Sequence, residues 1–180
     1  MSEIRRFVAM TVAILVAVFL HGVAAQPYAV AAQDEGTGVK FSGEWIMLAF
    51  AITNVDIDPS DPESPWRFEA ESTSLLYGDF VGIDHSTVTA TYDPRTGDQQ
   101  GWIKETFVGT YEPDGSTGTM TREGPYKANQ ETGEGRSLQE ITGGDGDFEG
   151  ARGHITIEAI GGRPCVFCGT YKGIWDRPTN

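Results

Sequence analysis

The sequence predicts an all-β domain, an antiparallel and closed β-barrel of eight or nearly eight strands. Past residue 40 the chain breaks into short runs with period-two alternation, and turn chemistry separates them. Many runs also carry an internal glycine (Gly78, Gly82, Gly109, Gly118, Gly169 and Gly173), which costs a flat strand stability but permits the coiling of a small barrel.

The runs read in order as follows. Residues 44–52 (EWIMLAFAI) are almost all apolar. Residues 66–72 (WRFEAES) alternate, with Trp66, Phe68 and Ala70 on one side and Arg67, Glu69 and Glu71 on the other. Runs at 75–83, 86–92, 101–111, 117–123, 137–142, 153–160 and 168–175 complete the set. The separators DPSDPESP, DPRTGD, EPDGS, TGEGR and GGRP hold the proline, aspartate and glycine that turns require.

Ahead of these runs, Arg5 and Arg6 precede an apolar run at 7–20, and small residues follow at 23–25 and 29–32. That is the layout of a secretory signal peptide, 1–25, with cleavage as late as 32 also fitting. The apolar run is shorter than a bilayer span, so the expected product is secreted or periplasmic, with no stable membrane insertion after cleavage. A flexible segment is expected at 26–40, and one domain at 41–177. Removing residues 1–25 takes away Arg5, Arg6 and Glu3, so the net charge moves from −13 to −14. Such a surface repels nucleic acid, and no basic patch offsets it.

The segment GGDGDFEGARGH (143–154) raises a choice between a ligand loop and a corner. A calcium-binding glycine repeat needs an aspartate where Phe148 stands, and a phosphate loop needs a lysine and a following helix. A strand follows instead, and three acidic residues would repel phosphate. The segment therefore reads as a tight corner with Phe148 as a plug into the core. Asp56, Asp58 and Asp61 could gather on calcium, against the simpler reading of a solvated acidic loop. No motif calls for a cofactor, no metal site is assigned, and no nucleophile elbow occurs.

ITGGDGDFEGARGHITIEA (141–159) resembles the most characteristic segment of the allene oxide cyclase and dirigent barrel superfamily, with Gly143, Gly144, Gly146, Phe148, Ala151 and Gly153 in the family's places. The stretch at 101–120 is similar to that family's central hairpin. The resemblance implies an eight-stranded antiparallel barrel with an apolar interior. It also implies an interior that binds a small apolar molecule and acts as a cyclase or isomerase by holding a reactive conformer. The alternative is a non-catalytic binding or structural protein whose barrel is filled by side chains. Family members form dimers or trimers, which leaves a homo-oligomer open.

Candidate site residues follow from strand faces. In WIKETFVGTY, Ile103, Glu105, Phe107, Gly109 and Tyr111 share a face, and Lys104 and Thr106 mark the other as solvent-facing. Glu105 is then an inward carboxyl, whose burial would raise its pKa and suit it to acid–base work, or which pairs with an inward arginine or tyrosine. Ile103, Phe107 and Tyr111 are the expected cavity face. Tyr77, taken with Asp79, Val81 and Ile83 on one strand, is a second wall. Arg152 and His154 fall on an outward face.

Cys165 and Cys168 read as a local disulfide in an exported chain, with free thiols or a redox or metal role as the alternatives. For the disulfide, thiol titration of the denatured chain should register two thiols only after reduction. Two thiols without reductant would exclude it.

Overall fold

The computed structural model describes residues 38–160 and 167–176; the signal segment and Cys165 lie outside the described residues. Eight strands follow one another: β1 (Val39–Asp56), β2 (Trp66–Gly78), β3 (Phe80–Tyr92), β4 (Asp98–Tyr111), β5 (Ser116–Asn129), β6 (Gly135–Gly146), β7 (Arg152–Ala159) and β8 (Cys168–Asp176). Each pairs antiparallel with the next, and β8 pairs with β1, so the order forms a ring. Among the described residues there is no helix.

Two boundaries differ from expectation. The runs at 66–72, 75–83 and 86–92 are two strands, not three. A hairpin sits inside the middle run at Gly78 and Asp79, with Leu76 opposite Gly82 and Leu75 opposite Ile83. Gly78 takes φ 118°, a conformation costly for other residues, and so turns the chain where alternation alone reads straight through. The start of β1 also reaches into the segment expected to be flexible: Val39 and Lys40 pair with Trp175 and Ile174.

The inward faces follow the period-two rule. On β2 the buried positions are Phe68, Ala70, Ser72, Ser74 and Leu76; on β3 they are Phe80, Asp84, Ser86, Val88 and Ala90. On β4, Glu105, Phe107 and Tyr111 are buried, while Lys104 on the other face reaches Glu123 across the strand pair at 3.3 Å.

The interior has two unlike halves. In one, Phe41, Phe80, Phe107, Tyr111, Phe148 and Trp175 pack ring on ring with Leu76, Met120, Ile141 and Ile155. Phe80 is the hub, with ring centroids 5.0 Å from Phe41, 5.0 Å from Tyr111 and 5.4 Å from Phe107. Most of these contacts are edge-to-face, the arrangement the ring quadrupoles favour. Tyr171 ties the hairpin to this half: its hydroxyl accepts from the Phe80 N–H at 3.0 Å and is 3.1 Å from the Phe80 carbonyl. The other half holds the smaller cluster Phe68, Ala70, Val88 and Ala90, with Tyr92, Ile103 and Tyr126 partly buried against it.

The glycine-rich segment is a corner between β6 and β7. Gly146 (φ 62°) opens the turn, and at Gly153 (φ 145°) a Cβ would run into the Ile174 carbonyl across the β7–β8 pair. Phe148 is 0% exposed and packs against Phe80, Phe107 and Trp175. The acidic residues that suggested a cation loop are used otherwise. Asp145 accepts from the Thr119 N–H and Asp147 from the Thr117 N–H, both at 2.9 Å, binding the corner to β5. In the acidic loop after β1, Asp58 accepts from the N–H and hydroxyl of Ser60. Phe148→Ala should therefore lower stability by about 3–5 kcal/mol, the cost of emptying a filled aromatic site. Urea denaturation checks it, and a loss under about 1 kcal/mol would mean that the corner does not anchor the core.

Candidate functional site

Where the two halves meet, the inward face turns polar. Ser72, Ser86, Glu105 and Arg122 stand directly opposite one another on four consecutive strands, β2 to β5. Asp84, one inward step along β3 from Ser86, and Gln139 on β6 complete the layer. Both are buried, as are Ser72, Ser86, Glu105 and Arg122. The layer rests on the aromatic half, since Asp84 pairs with Phe107 and Arg122 with Ile141.

Arg122 is the centre. Its Nε lies 2.8 Å from Glu105 Oε2 and 2.8 Å from Gln139 Oε1, and its guanidinium forms a short ion pair with Asp84 Oδ2. Ser72 and Ser86 bond through their hydroxyls at 2.6 Å. Gln139 Nε2 has no hydrogen-bond partner among the described residues, and Asp84 Oδ1 receives no donor.

A buried guanidinium must be neutralised by groups that are themselves costly to bury. Burial by itself would lower the pKa of Arg122; Asp84 and Glu105 more than offset it, so the guanidinium stays charged. The Asp84 carboxyl is held well above the usual carboxylate range. Burial is the largest cause, and the neighbouring Glu105 adds to it by charge and by hydrogen bond, while Arg122 opposes it. Two carboxyls in one dry site resist simultaneous ionisation. Chemically, the layer offers a carboxyl that binds its proton more tightly than an ordinary aspartate, beside a fixed cation.

The sequence-derived residues are distributed unevenly around this layer. Glu105, 8% exposed, lies within it on the expected face. Phe107 and Tyr111 share that face, but they are packed in the aromatic half at 1% and 3% exposure, so they brace the layer's floor and do not line a cavity. Ile103 belongs to the smaller cluster on the other side. Tyr77 is a correction: it is 40% exposed on the outer face, because the turn at Gly78 reverses the chain and the inward residues of β3 are Phe80, Gly82 and Asp84. Arg152 and His154 are exposed. Cys168 opens β8, and its expected partner Cys165 is outside the described residues.

Asp84, Arg122 and Gln139 were not singled out from sequence. A signal for Arg122 existed: in TMTRE it shares the face of buried Met120. Asp84 became legible only with the hairpin at Gly78 and Asp79 in place.

Beyond the smaller cluster the ring ends in an open cleft of ≈ 950 Å³. Gln99, Ala128, Gly135 and Ala159 line it, with rim charges such as Asp98 and Arg136. On β4 the inward order from cleft to layer is Gln99, Gly101, Ile103, Glu105; on β5 it is Ala128, Tyr126, Gly124, Arg122. Ile103 and Tyr126 thus stand between solvent and the polar layer.

No family model matches the chain, and no curated protein matches it.

Because Asp84 keeps its proton in the folded state above the ordinary value of 3.8, the folded chain binds more protons than the unfolded one over that interval. The stability this group contributes is full below 3.8 and is lost as pH rises through the raised pKa. Asp84→Asn should remove this slope, so its stability relative to the parent rises as pH increases from about 4 towards the raised pKa. Denaturant midpoints across that range check it, and parallel curves for the two proteins would contradict the assignment.

Proposed function

We propose that this chain is an exported, closed β-barrel that takes a small, mainly apolar molecule into the half that holds Phe68, Ala70, Val88 and Ala90 and meets its polar end with the Asp84–Glu105–Arg122 layer. The observation that carries this reading is a buried acid beside a cation, with an apolar cluster of Phe68, Ala70, Val88 and Ala90 on the cleft side of it. Convergent polar groups at the end of an apolar recess are the usual form of a small-molecule site. Displaced acids of this kind cluster at functional sites. With its pKa raised by burial, Asp84 is suited to act as a general acid in a cyclisation or isomerisation, while the wall fixes the reactive conformer. The allene oxide cyclase and dirigent resemblance supports the barrel and the apolar ligand, and residues 1–25 support export.

One observation favours a second reading, a filled structural barrel: Arg122, Glu105, Asp84 and Gln139 already bond to one another, and the aromatic half is packed. Native mass spectrometry of the chain purified from its own host separates the two. The expected result is one small apolar adduct per chain, with affinity lowered about tenfold in Glu105→Gln, or ~1.4 kcal/mol. A bare chain that also fails to bind the freed apolar extract of its host would establish the filled reading.

A further inference from the structure

Gln139 is 1% exposed, and the two ends of its amide meet different surroundings. Oε1 lies 2.8 Å from Arg122 Nε, which fixes how the amide is turned, because the reverse orientation would set donor against donor. Nε2 is the end left over, and among the described residues it has no hydrogen-bond partner. Strand register explains why. Arg122 pairs with Ile141 and Tyr126 with Ser137, so Gln139 stands beside Gly124, where a Cβ would come within 2.8 Å of the Gln139 Cα. Gly124 pairs with Ile103, Ile103 with Val88, and Val88 with Ala70. Gln139 thus belongs to the row of the smaller apolar cluster, one inward step towards the cleft from the row of Ser72, Ser86, Glu105 and Arg122. None of its companions in that row, Ala70, Val88, Ile103 and Gly124, carries an acceptor on its side chain.

A buried donor without an acceptor costs more stability than a made bond contributes, so such a group marks a place that something else completes. We infer that Gln139 Nε2 donates to a carbonyl oxygen on the polar end of the bound molecule, and so selects neutral carbonyl compounds, ketones or esters, over carboxylates and hydrocarbons. The inference rests on the reading that an apolar molecule enters this half of the ring. A hydrocarbon would leave the amide N–H groups unpaired against it, which a site built to donate a hydrogen bond penalises. A carboxylate would bring a third carboxyl to a guanidinium that Asp84 and Glu105 already face. A carbonyl supplies the acceptor and no charge. Because Oε1 stays on Arg122, the amide meets the ligand from a fixed position.

Acetophenone, benzoate and ethylbenzene share one ring and nearly one size, and differ in the group that Gln139 would meet. In NMR titrations of the folded chain, acetophenone should shift the Gln139 side-chain NH2 signals and the methyl signals of Ala70 and Ala90. It should bind at least about tenfold more tightly than the other two. Gln139→Met keeps the bulk of the side chain, leaves Arg122 its two carboxyls and removes the donor. That variant should bind acetophenone no better than ethylbenzene, with its ethylbenzene affinity as in the parent. If it does not fold, the NH2 signals of the parent chain decide.

Equal affinities for acetophenone and ethylbenzene, with Ala70 and Ala90 shifting in both titrations, would leave the ligand reading standing and overturn the role of Gln139. Tighter binding of benzoate overturns the assigned class, and an acetophenone preference that survives in Gln139→Met overturns the assigned residue. NH2 signals that keep a cross-peak to a bound water at saturating acetophenone show the donor spent on that water, and overturn the inference too. No shift at Ala70 or Ala90 with any of the three compounds overturns it together with the reading it rests on.

Discussion

The neutralisation of Arg122 constrains the rest of the interior. A guanidinium at this depth is tolerated only if carboxyls and an amide reach it with good geometry, and these come from three other strands: Asp84 on β3, Glu105 on β4 and Gln139 on β6. A one-residue slip of any of these strands would turn its polar group to the outside and leave a buried charge uncompensated. The cluster therefore fixes the mutual register of β3 to β6, a specificity that apolar contacts supply less sharply.

The same layer divides the ring. On one side, aromatic rings fill the space around Phe80, with Phe148 brought in by the corner after β6. That corner needs glycines because the backbone of β7 passes close under β8, and its aspartates are spent on the amides of β5. On the other side lies the smaller cluster around Phe68 and Val88, and Ile103 and Tyr126 separate the layer from the cleft. Apolar packing is thus concentrated in one half, and the buried ionisable groups stand at its border.

β1 shows what ring closure leaves over. Irregularities between Met47 and Ala49 and between Ile52 and Asn54 shift its register against β2. The first part of the strand closes the ring against β8. The second continues beyond the residues that pair with β8 and stays paired with β2 up to Asp56.

Much of the secondary structure was legible in the sequence, because alternation and turn residues report local geometry. The inward face of β4, with Glu105 on it, and the plug at Phe148 could be read from their own strands and neighbours. The hairpin at Gly78 and Asp79 could not: alternation continues through LLYGDFVGI as if nothing turned there, and the misplaced phase hid Asp84 and put Tyr77 inside. Period-two spacing determines which residues share a face within one strand. It carries no information about which strand lies beside which, or in what register. The meeting of Asp84, Glu105, Arg122 and Gln139, spread over 56 residues of sequence, was decided only by tertiary structure. There the cost of an unpaired buried charge selects one alignment of the strands from those that the apolar pattern allows.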